Sequence, residues 1–441
     1  MNSFQTPVTF DPESLALPEW PQFSTKMCPG FLGEFVALAT ENSEADPAAV
    51  CITALVRFCG EVYGLVAGKG PHTYAGDTPH PPRLFSVICG NSSKSRKGTS
   101  RHPVSRLFNQ QDSAAADLPK NLPSPAKESG GPLSSGEGLA YSVRDETDEE
   151  REKWQKRNPN EILRDKNDKR LVVTDEEFCS ALTSMKRVGN NLSMVVRSFW
   201  DSGNCAPLTK NFPVIARNVH VSILGHITIQ ELTSFFDAVQ AVNGFGNRFL
   251  WIFARRSKLV PLPERMPDTK LAPLQRELWN MITLAQQREA IYMTKRTREM
   301  WEAIYPDISA EHPGRVGEII SRAEAQTLRL SLVYALLDGK ENIEENHLES
   351  ASAMWTYARD SALYIFSHWT NTDPLASKIV DALKPRPLTA TELSAALGRN
   401  IARAQLEPAL QRLQAQQRIE IKKENKGSSR PTTIISLVNL S

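Results

Sequence analysis

The sequence lacks the features that mark secreted, membrane or zinc-binding proteins. Its six cysteines form no CxxC pair and no Cys/His cluster with zinc spacing, so we expect reduced cysteines within the core. It has no run of eighteen apolar residues and no basic leader followed by an apolar segment, so we expect a cytoplasmic protein without membrane contact. The 52 basic and 50 acidic side chains nearly cancel. Any attraction to nucleic acid must therefore come from local patches.

The chain is long enough for several domains, with 441 residues of which 40% are apolar. Changes in composition and periodicity predict four parts. Residues 1–75 form an irregular lead-in and helices, and residues 76–265 form an α/β core. Residues 266–370 are helical, and residues 371–441 contain three helices followed by a β-hairpin.

The most informative stretch is GNSSKSRKGTS, residues Gly90–Ser100. It follows Leu84–Cys89, a short apolar run that predicts a buried strand. A strand that leads into a glycine-led, lysine-bearing loop and then a helix is the setting in which backbone N–H groups cradle phosphate oxygens. The alternative is a basic, serine-rich surface loop, because short motifs also occur by chance.

The sequence of this loop departs from the usual P-loop pattern, GxxxxGK[ST]. One extra residue precedes Lys97, and Arg96 stands where the second glycine is expected. Gly98 separates the lysine from the hydroxyls of Thr99 and Ser100. The stretch alone therefore leaves both interpretations open.

A second apolar run ends in acids. Residues 170–178 read RLVVTDEEF, which predicts a strand that delivers Asp175, Glu176 and Glu177 at its carboxyl end. This is what a Walker B element requires, where one carboxylate holds magnesium through water and another polarises the attacking water. Apolar-then-acidic strings are common, but this one follows the loop in the order that an ATPase needs.

A third apolar run, Val219–Gly225, ends in His226-Ile227-Thr228. In a parallel sheet its polar end would lie beside the ends of the first two strands. His226 could then sense the γ-phosphate. The alternatives are a satisfied core histidine and, for Thr228, a helix cap.

Two arginines follow at positions that suit phosphate contact. Arg248 lies between a turn and the apolar run Phe249–Phe253, which suits an arginine finger that reaches a neighbouring subunit. The alternative is a surface salt bridge. Arg322 begins an amphipathic segment and lies one heptad before Arg329 on the same face.

Residues 144–170 form a dense charged run. Such a run is usually a solvated face. The functional alternative is a projecting hairpin that faces a pore and touches nucleic acid through Lys153, Trp154, Lys156 and Arg157.

The C-terminal pattern predicts helices at 375–383, 389–397 and 400–416, then strands at 419–422 and 432–437. Three helices and a hairpin are typical of a winged helix, which binds DNA or only protein. The basic residues that would contact phosphates are Arg399, Arg403, Arg412, Lys422, Lys423, Lys426 and Arg430.

These stretches together resemble a family of bacterial, phage and plasmid P-loop proteins of nominally unknown function, often fused to a primase-polymerase domain and described as replicative helicase-like. The resemblance covers about residues 28–370. Its pieces are GNSSKSRKGTS, SSGEG with VRDE, RLVVTDEEF, NNLS with VVRSFWDSG, HVSILGHIT, NGFGNRFLW with RRSK, and RAEAQTLRLSLVYALLDG. The later part also resembles the AAA+ plan of minichromosome maintenance helicases, through NRFLW and RAEAQTLRL.

The resemblance implies a P-loop NTPase core of AAA+ type with N-terminal helices, a helical lid and a C-terminal winged helix. It implies ATP and Mg²⁺ as ligands, with Gly90 and Gly98 in the phosphate loop. The implied roles are phosphate lysine for Lys97, magnesium hydroxyl for Thr99 or Ser100, Walker B acids for Asp175 and Glu177, sensor 1 for His226, finger for Arg248 and sensor 2 for Arg322. The string TDEEF leaves open whether Glu176 or Glu177 activates water.

The expected function is an ATP-dependent DNA translocase or helicase in the replication of a mobile element. It would act on single-stranded or forked DNA as a ring, with a hexamer expected. No primase-polymerase domain precedes the ATPase in this sequence, so priming would come from a separate protein. One alternative is an ATP-switched replication initiator or regulator that does not unwind DNA. Another is a structural protein with a decayed P-loop.

Overall fold

The computed structural model describes most of the chain, in ranges separated by short gaps. The described ranges are 20–63, 70–91, 95–110, 122–157, 168–208, 214–236, 243–312, 314–370, 374–384, 386–398, 401, 403–415, 419–424 and 432–437. Contacts divide the chain into two compact units, one formed by Pro18–Ile365 and the other built on Phe366–Ser441.

Twelve strands are present in the described ranges. They are β1 (Thr73–Ala75), β2 (Thr78–His80), β3 (Phe85–Gly90), β4 (Lys127–Ser129), β5 (Arg170–Asp175), β6 (His220–Thr228), β7 (Phe249–Phe253), β8 (Tyr292–Met293), β9 (Asn342–Ile343), β10 (Leu388–Thr389), β11 (Ile419–Glu424) and β12 (Thr432–Leu437).

The α-helices of the same ranges are numbered in chain order. They are α1 (Gly30–Glu41), α2 (Pro47–Val62), α3 (Arg101–Phe108), α4 (Gly136–Ser142), α5 (Asp148–Arg157), α6 (Phe178–Met185), α7 (Leu192–Asp201), α8 (Ile229–Phe235), α9 (Asp268–Gln286), α10 (Lys295–Ile308), α11 (Gly314–Ile320), α12 (Ala323–Leu337), α13 (Glu345–Thr370), α14 (Pro374–Leu383), α15 (Ala390–Ala396) and α16 (Arg403–Ala415).

A five-stranded sheet, in the order β4-β5-β6-β3-β7, organises the larger unit, and all its pairings are parallel. The predicted mixed α/β fold with a parallel sheet is therefore confirmed. The third apolar strand, β6, lies between the loop strand β3 and the acid strand β5. Because parallel strands end at the same edge of a sheet, the loop, the acids and His226 all lie at that edge.

The sheet is apolar because both of its faces are covered. All six residues of β3 and all five of β7 are buried, as expected for strands of a parallel sheet. Helix α2 packs against this sheet and is buried almost throughout. At Gly60 the helix approaches so closely that a Cβ would collide with Val172 of β5, so the position requires glycine.

Helix α2 begins at a capping residue followed by proline. Asp46 caps it by accepting a hydrogen bond from the N–H of Ala48 at 2.8 Å, and Pro47 occupies the first turn. Further along the chain, helix α12 is almost entirely buried. The Tyr334 hydroxyl of this helix donates to the carbonyl of Met27 at 2.6 Å, which joins the helical segment to the N-terminal helices.

The smaller unit contains α14, α15 and α16 and an antiparallel sheet in the order β10-β12-β11. Its core includes Ile379, Leu393, Leu413, Ile419 and Ile435. The three predicted helices and two predicted strands of this region are confirmed within a few residues. The short strand β10, which begins the sheet, was not predicted.

The charged run was predicted to be a solvated face, with a projecting hairpin as the functional alternative. Its part at Asp148–Arg157 is the helix α5, none of whose residues is buried, which agrees with a solvated face and not with a hairpin. Helix α8 ends at Phe235, and residues 237–242 lie outside the described ranges. Among the helices of the described ranges, none combines the length and the apolar character needed to cross a membrane.

Candidate nucleotide site

The loop after β3 differs from the usual P-loop pattern in its sequence, and its backbone conformation shows how Arg96 takes the place of a glycine. Arg96 has φ 56° and ψ 27°, the left-handed region that glycine occupies without strain. This is the position where the usual P-loop pattern has its second glycine. The guanidinium of Arg96 donates to Glu44 at 2.7 Å, and this ion pair ties the loop to the segment before α2.

Gly90 ends the strand in a close approach. A Cβ on this residue would lie 2.6 Å from the Cβ of Ser95, so glycine lets the loop fold back over the end of the strand. Residues Lys97–Ser100 then form a short 3₁₀ helix that runs directly into α3. The strand, loop and helix predicted for this stretch are thus present, and residues 92–94 lie outside the described ranges.

The two candidate hydroxyls for magnesium lie in different surroundings. Ser100 is fully buried, donates to the carbonyl of Lys97 at 3.0 Å and lies 3.1 Å from the hydroxyl of Thr53 on α2. Thr99 and Lys97 are half-buried, and a Cβ at Gly98 would meet open space. The available hydroxyl beside the lysine is therefore that of Thr99.

The acids at the end of β5 also lie in different surroundings. Asp175 is buried, and its two oxygens accept the N–H groups of Leu133 at 2.9 Å and Glu177 at 3.0 Å. Glu176 is exposed and pairs with Arg101, the first residue of α3, at 2.9 Å. The hydrogen bond from Arg101 lowers the pKa of Glu176. This ion pair joins the helix after the loop to the acid strand.

His226 lies between these groups and is only 2% exposed. Its Nε2 is buried and has no hydrogen-bond partner among the described residues. Burial lowers its pKa to about 4; the charge of Glu176 opposes the shift, and the charges of Lys97 and Arg101 add to it. The imidazole is therefore neutral at pH 7 and has an unsatisfied nitrogen.

The predicted helix cap at Thr228 is confirmed. Its hydroxyl accepts the N–H of Glu231 at 3.2 Å, and Glu231 accepts the N–H of Thr228 at 2.9 Å, a reciprocal capping box. Partial burial raises the pKa of Glu231, but the hydrogen bonds from Thr228 and the charge of Lys97 outweigh it. Glu231 thus adds an acid near the lysine that the sequence analysis did not single out.

The two predicted arginines lie at the opposite edge of the sheet. Phe249, which follows Arg248, pairs with Phe85 at the start of β3, whereas Lys97 follows the end of β3. Six residues at about 3.3 Å each separate the two edges by about 20 Å. Within one chain, the structure therefore does not bring Arg248 to Lys97.

Arg248 and Arg322 are held together at that edge. The Nη2 of Arg248 donates to Asp201 at 2.6 Å, and the Nη1 of Arg322 lies 3.6 Å from the same carboxylate. Both guanidiniums lie over the ring of Trp200, at 5.7 and 5.0 Å from its centroid. The Nε of Arg322 also donates to Asn247 at 3.1 Å.

Two further buried arginines complete this cluster. Arg83 and Arg329 donate to the carbonyl of Trp200 at 3.1 and 3.0 Å, and Arg329 lies 3.6 Å from the centroid of the Trp200 ring. Burial lowers the pKa of Arg83 to about 10 and also lowers that of Arg329. Four guanidiniums thus lie around Trp200 and Asp201, three of them over the indole ring, and the carboxylate of Asp201 compensates their positive charge only in part.

The predicted nucleic-acid residues lie in two places. On α5, Lys153, Lys156 and Arg157 are exposed and Trp154 is half-buried. In the smaller unit Lys422 is exposed and pairs with Glu420 at 2.8 Å. Arg403 and Arg412 lie on α16 and Lys423 lies on β11, but their side chains are outside the described part of the structure. Arg399, Lys426 and Arg430 lie outside the described ranges altogether.

The comparisons with known proteins add no relative. No protein-family model matches the chain, and a search of curated proteins finds no match. In the described ranges, no group of three or more His, Cys, Asp or Glu side chains is placed to hold a metal ion by itself.

Proposed function

We propose that this protein is an ATPase whose nucleotide is held by the loop after β3. The observation that carries the proposal is the meeting of Lys97, Glu176 and buried, unsatisfied His226 at the carboxyl edge of a parallel sheet. Ligands bind at this edge in open α/β sheets. A loop that needs glycine at Gly90 and adopts a left-handed turn at Arg96 also suits close backbone approach to phosphate.

The residues present fit a magnesium-bound triphosphate. Magnesium in nucleotide sites is held by one or two protein oxygens together with the phosphates, which agrees with the lack of a larger acidic cluster among the described residues. Thr99 would supply the hydroxyl and an acid of the 175–177 turn the carboxylate. When bound, magnesium neutralises charge on the β- and γ-phosphates.

The roles of the protein groups follow from their surroundings. Lys97 binds phosphate oxygens, and its half-buried position leaves its charge little screened by water. Glu176 orients the attacking water, and Arg101 keeps its carboxylate ionised. The imidazole of His226 is neutral, and its unpartnered Nε2 forms a hydrogen bond with the γ-phosphate or with the attacking water.

The arginines of the opposite edge require a second copy of the chain. Arg248 and Arg322 cannot reach the loop of their own chain, so a neighbour must bring them to it. Such a contact joins two different faces, and its repetition generates a ring when the rotation between neighbours closes. The partly compensated charge around Trp200 suits a face that receives phosphate.

The proposed activity is hydrolysis coupled to movement on DNA, by a ring-shaped oligomer that we expect to be a hexamer. The exposed basic residues of α5 would contact the strand. The smaller unit, with three helices and a three-stranded antiparallel sheet, has the elements of a winged helix. Its exposed Lys422 would contact the backbone of a duplex.

The proposal is tested by ATP hydrolysis with and without single-stranded DNA. We expect stimulation by DNA and a loss of at least about 100-fold in Lys97→Ala, since the lysine stabilises charge in the transition state. Lys270→Ala is the matched control, because Lys270 is exposed and pairs with Glu41 rather than with a residue of the loop. Equal hydrolysis by all three proteins would overturn the assignment of the loop.

A second candidate is an ATP-switched DNA-binding initiator, which the compact smaller unit favours. It shares the nucleotide site but not the motor activity. Hydrolysis that changes little with DNA, together with ATP-dependent binding to duplex DNA, would support the switch over the translocase. Strand separation driven by hydrolysis would support the translocase.

A further inference from the structure

A large cleft opens at the amino edge of the sheet, away from the loop of Lys97. Its volume is about 1010 Å³, which is the upper end of the range for ligand-binding clefts. The β1–β2 hairpin, β8, α10 and the beginning of α12 contribute its walls. None of the residues at the carboxyl edge lines it.

The backbone places two tyrosines side by side on one wall. His72 forms a parallel bridge with Ala290, through hydrogen bonds of 3.0 and 2.8 Å. Two residues further along each segment, Tyr74 and Tyr292 are therefore neighbours. Their ring centroids are 6.2 Å apart and their planes differ by 19°, so the two rings form one aromatic platform.

One face of α10 supplies the facing wall. Arg298, Trp301 and Tyr305 recur at helical spacing, and all three line the cleft. The rings of Trp301 and Tyr305 lie 5.8 Å apart. The exposed tyrosines of the described ranges are Tyr74, Tyr141, Tyr292 and Tyr305, and three of these four converge on this cleft.

Such an arrangement needs a reason other than packing. Tyr292 is 56% exposed, Tyr305 45% and Tyr74 42%, so these rings contribute little to the core. Clustered exposed aromatic surface marks binding sites rather than stable monomer surface. Planar rings that face a cleft are suited to stacking against nucleic-acid bases.

The charges of the cleft favour a nucleotide over an apolar ligand. The guanidinium of Arg298 makes no ion pair or hydrogen bond with the described residues, and Arg322 lies at the same cleft. Glu302 and Glu324 also line it. Arginines can hold a phosphate, and carboxylates can accept hydrogen bonds from the amino groups of bases. Because the two signs balance, stacking rather than net charge would dominate the affinity.

We propose that this cleft binds a single strand of nucleic acid, one of whose bases stacks on Tyr74 and Tyr292 while Arg298 holds the adjoining phosphate. The proposal deepens the proposed function, on which it rests for the identity of the ligand as a strand rather than a free nucleotide. Both sources share a base and a phosphate, so the experiment compares them. It is performed without ATP, so a failure here is distinct from a failure of the ATPase proposal.

The experiment measures binding of a short fluorescent oligothymidylate by anisotropy, with AMP as the free-nucleotide competitor. The variants are Tyr292→Ala, Tyr292→Phe and Arg298→Gln. Controls are Tyr141→Ala, an exposed tyrosine elsewhere, and Arg296→Gln, which changes an exposed arginine of the same helix that pairs with Glu345. All proteins are first shown to melt as the wild type does.

The expected results follow from the loss of one stacking contact. Tyr292→Ala weakens binding about tenfold and Tyr292→Phe less than about twofold, because the ring and not the hydroxyl stacks. Arg298→Gln weakens binding and reduces its salt dependence by about one phosphate contact. Oligonucleotide binding unchanged in Tyr292→Ala and Arg298→Gln would overturn the proposal. So would AMP that binds in this cleft while the oligonucleotide does not.

Discussion

Arg248 donates to the carboxylate of Asp201 at 2.6 Å, at the edge of the sheet opposite to Lys97. The two residues come from different elements, the turn before β7 and the end of α7. Asp201 also lies 3.6 Å from Arg322. One carboxylate thus holds both arginines that would contact a neighbour's phosphate, and the same contact would have to change when a phosphate arrives.

Asp201→Asn removes this charge without a change in shape. We expect the free energy of unfolding to fall by about 1 kcal/mol, because Arg248 stays buried while Asp201 is itself half-exposed. ATP affinity of the isolated monomer stays unchanged, since within one chain the Lys97 loop lies at the other edge. Urea unfolding and nucleotide titration check both points, with exposed Asp148→Asn as the control. A tenfold loss of ATP affinity in Asp201→Asn would contradict the separation of the two sites.

The acids at the end of β5 give a second prediction. Glu176 and Glu177 are both exposed, but Glu176 pairs with Arg101 and lies near His226. We expect Glu176→Gln to reduce ATP hydrolysis by about 100-fold or more, as loss of a general base does, and Glu177→Gln to reduce it only a few-fold. Steady-state hydrolysis at saturating ATP measures both. The reverse order of effects would assign the water-activating role to Glu177.

Arg96 supplies a prediction about the loop itself. Its left-handed backbone costs a non-glycine residue about 1 kcal/mol. Arg96→Gly and Arg96→Ala both lose the ion pair with Glu44, but only glycine also removes the strain. Arg96→Gly should therefore be more stable than Arg96→Ala by about 1 kcal/mol. Equal stability of the two variants in urea would show that the loop does not hold this backbone conformation.

The buried His226 predicts a pH dependence of stability. Its pKa is lowered from 6.5 to about 4 by burial, so between these values the unfolded chain binds a proton that the folded protein excludes. The stability contributed by the neutral imidazole is complete above pH 6.5 and is lost as the pH falls to 4. The slope approaches about 1.4 kcal/mol per pH unit.

His226→Gln removes this term. Half-buried His80 and buried His220, whose pKa values burial also lowers, remain in both proteins. The difference between wild type and variant therefore isolates His226. Urea unfolding at about pH 7 and about pH 5 should show a smaller loss of stability in His226→Gln. A loss equal to that of the wild type would mean that His226 is accessible to protons.

Much of the architecture could be predicted from short apolar runs and from the residues that bound strands or cap helices. The runs that became β3, β5, β6 and β7 are buried on both faces and so lack alternation, and Pro81-Pro82 and Gly90 bound the first of them. The helix cap predicted at Thr228 is confirmed, and the side chain of Asp46 caps α2. These signals could be recognised from the sequence because each of them involves only a few neighbouring residues.

The arrangement of the sites depends on contacts that are distant in sequence. That β6 lies between β3 and β5, and that Arg248 lies at the opposite edge from Lys97, follows from sheet order rather than from any local pattern. Trp200 and Asp201 lie at the end of α7, and no local pattern indicates their contacts with arginines from three other segments. The ion pair of Arg101 with Glu176 likewise joins residues 75 positions apart.

The shared site is tested most directly by mixing two inactive variants, Lys97→Ala and Arg248→Gln, after both are shown to be folded. Each lacks one half of the proposed site, and random mixing leaves about one interface in four with an intact loop and an intact arginine. We predict that neither variant alone hydrolyses ATP efficiently and that the mixture recovers part of the wild-type activity. A mixture no more active than the variants measured separately would contradict a site completed by a neighbouring copy.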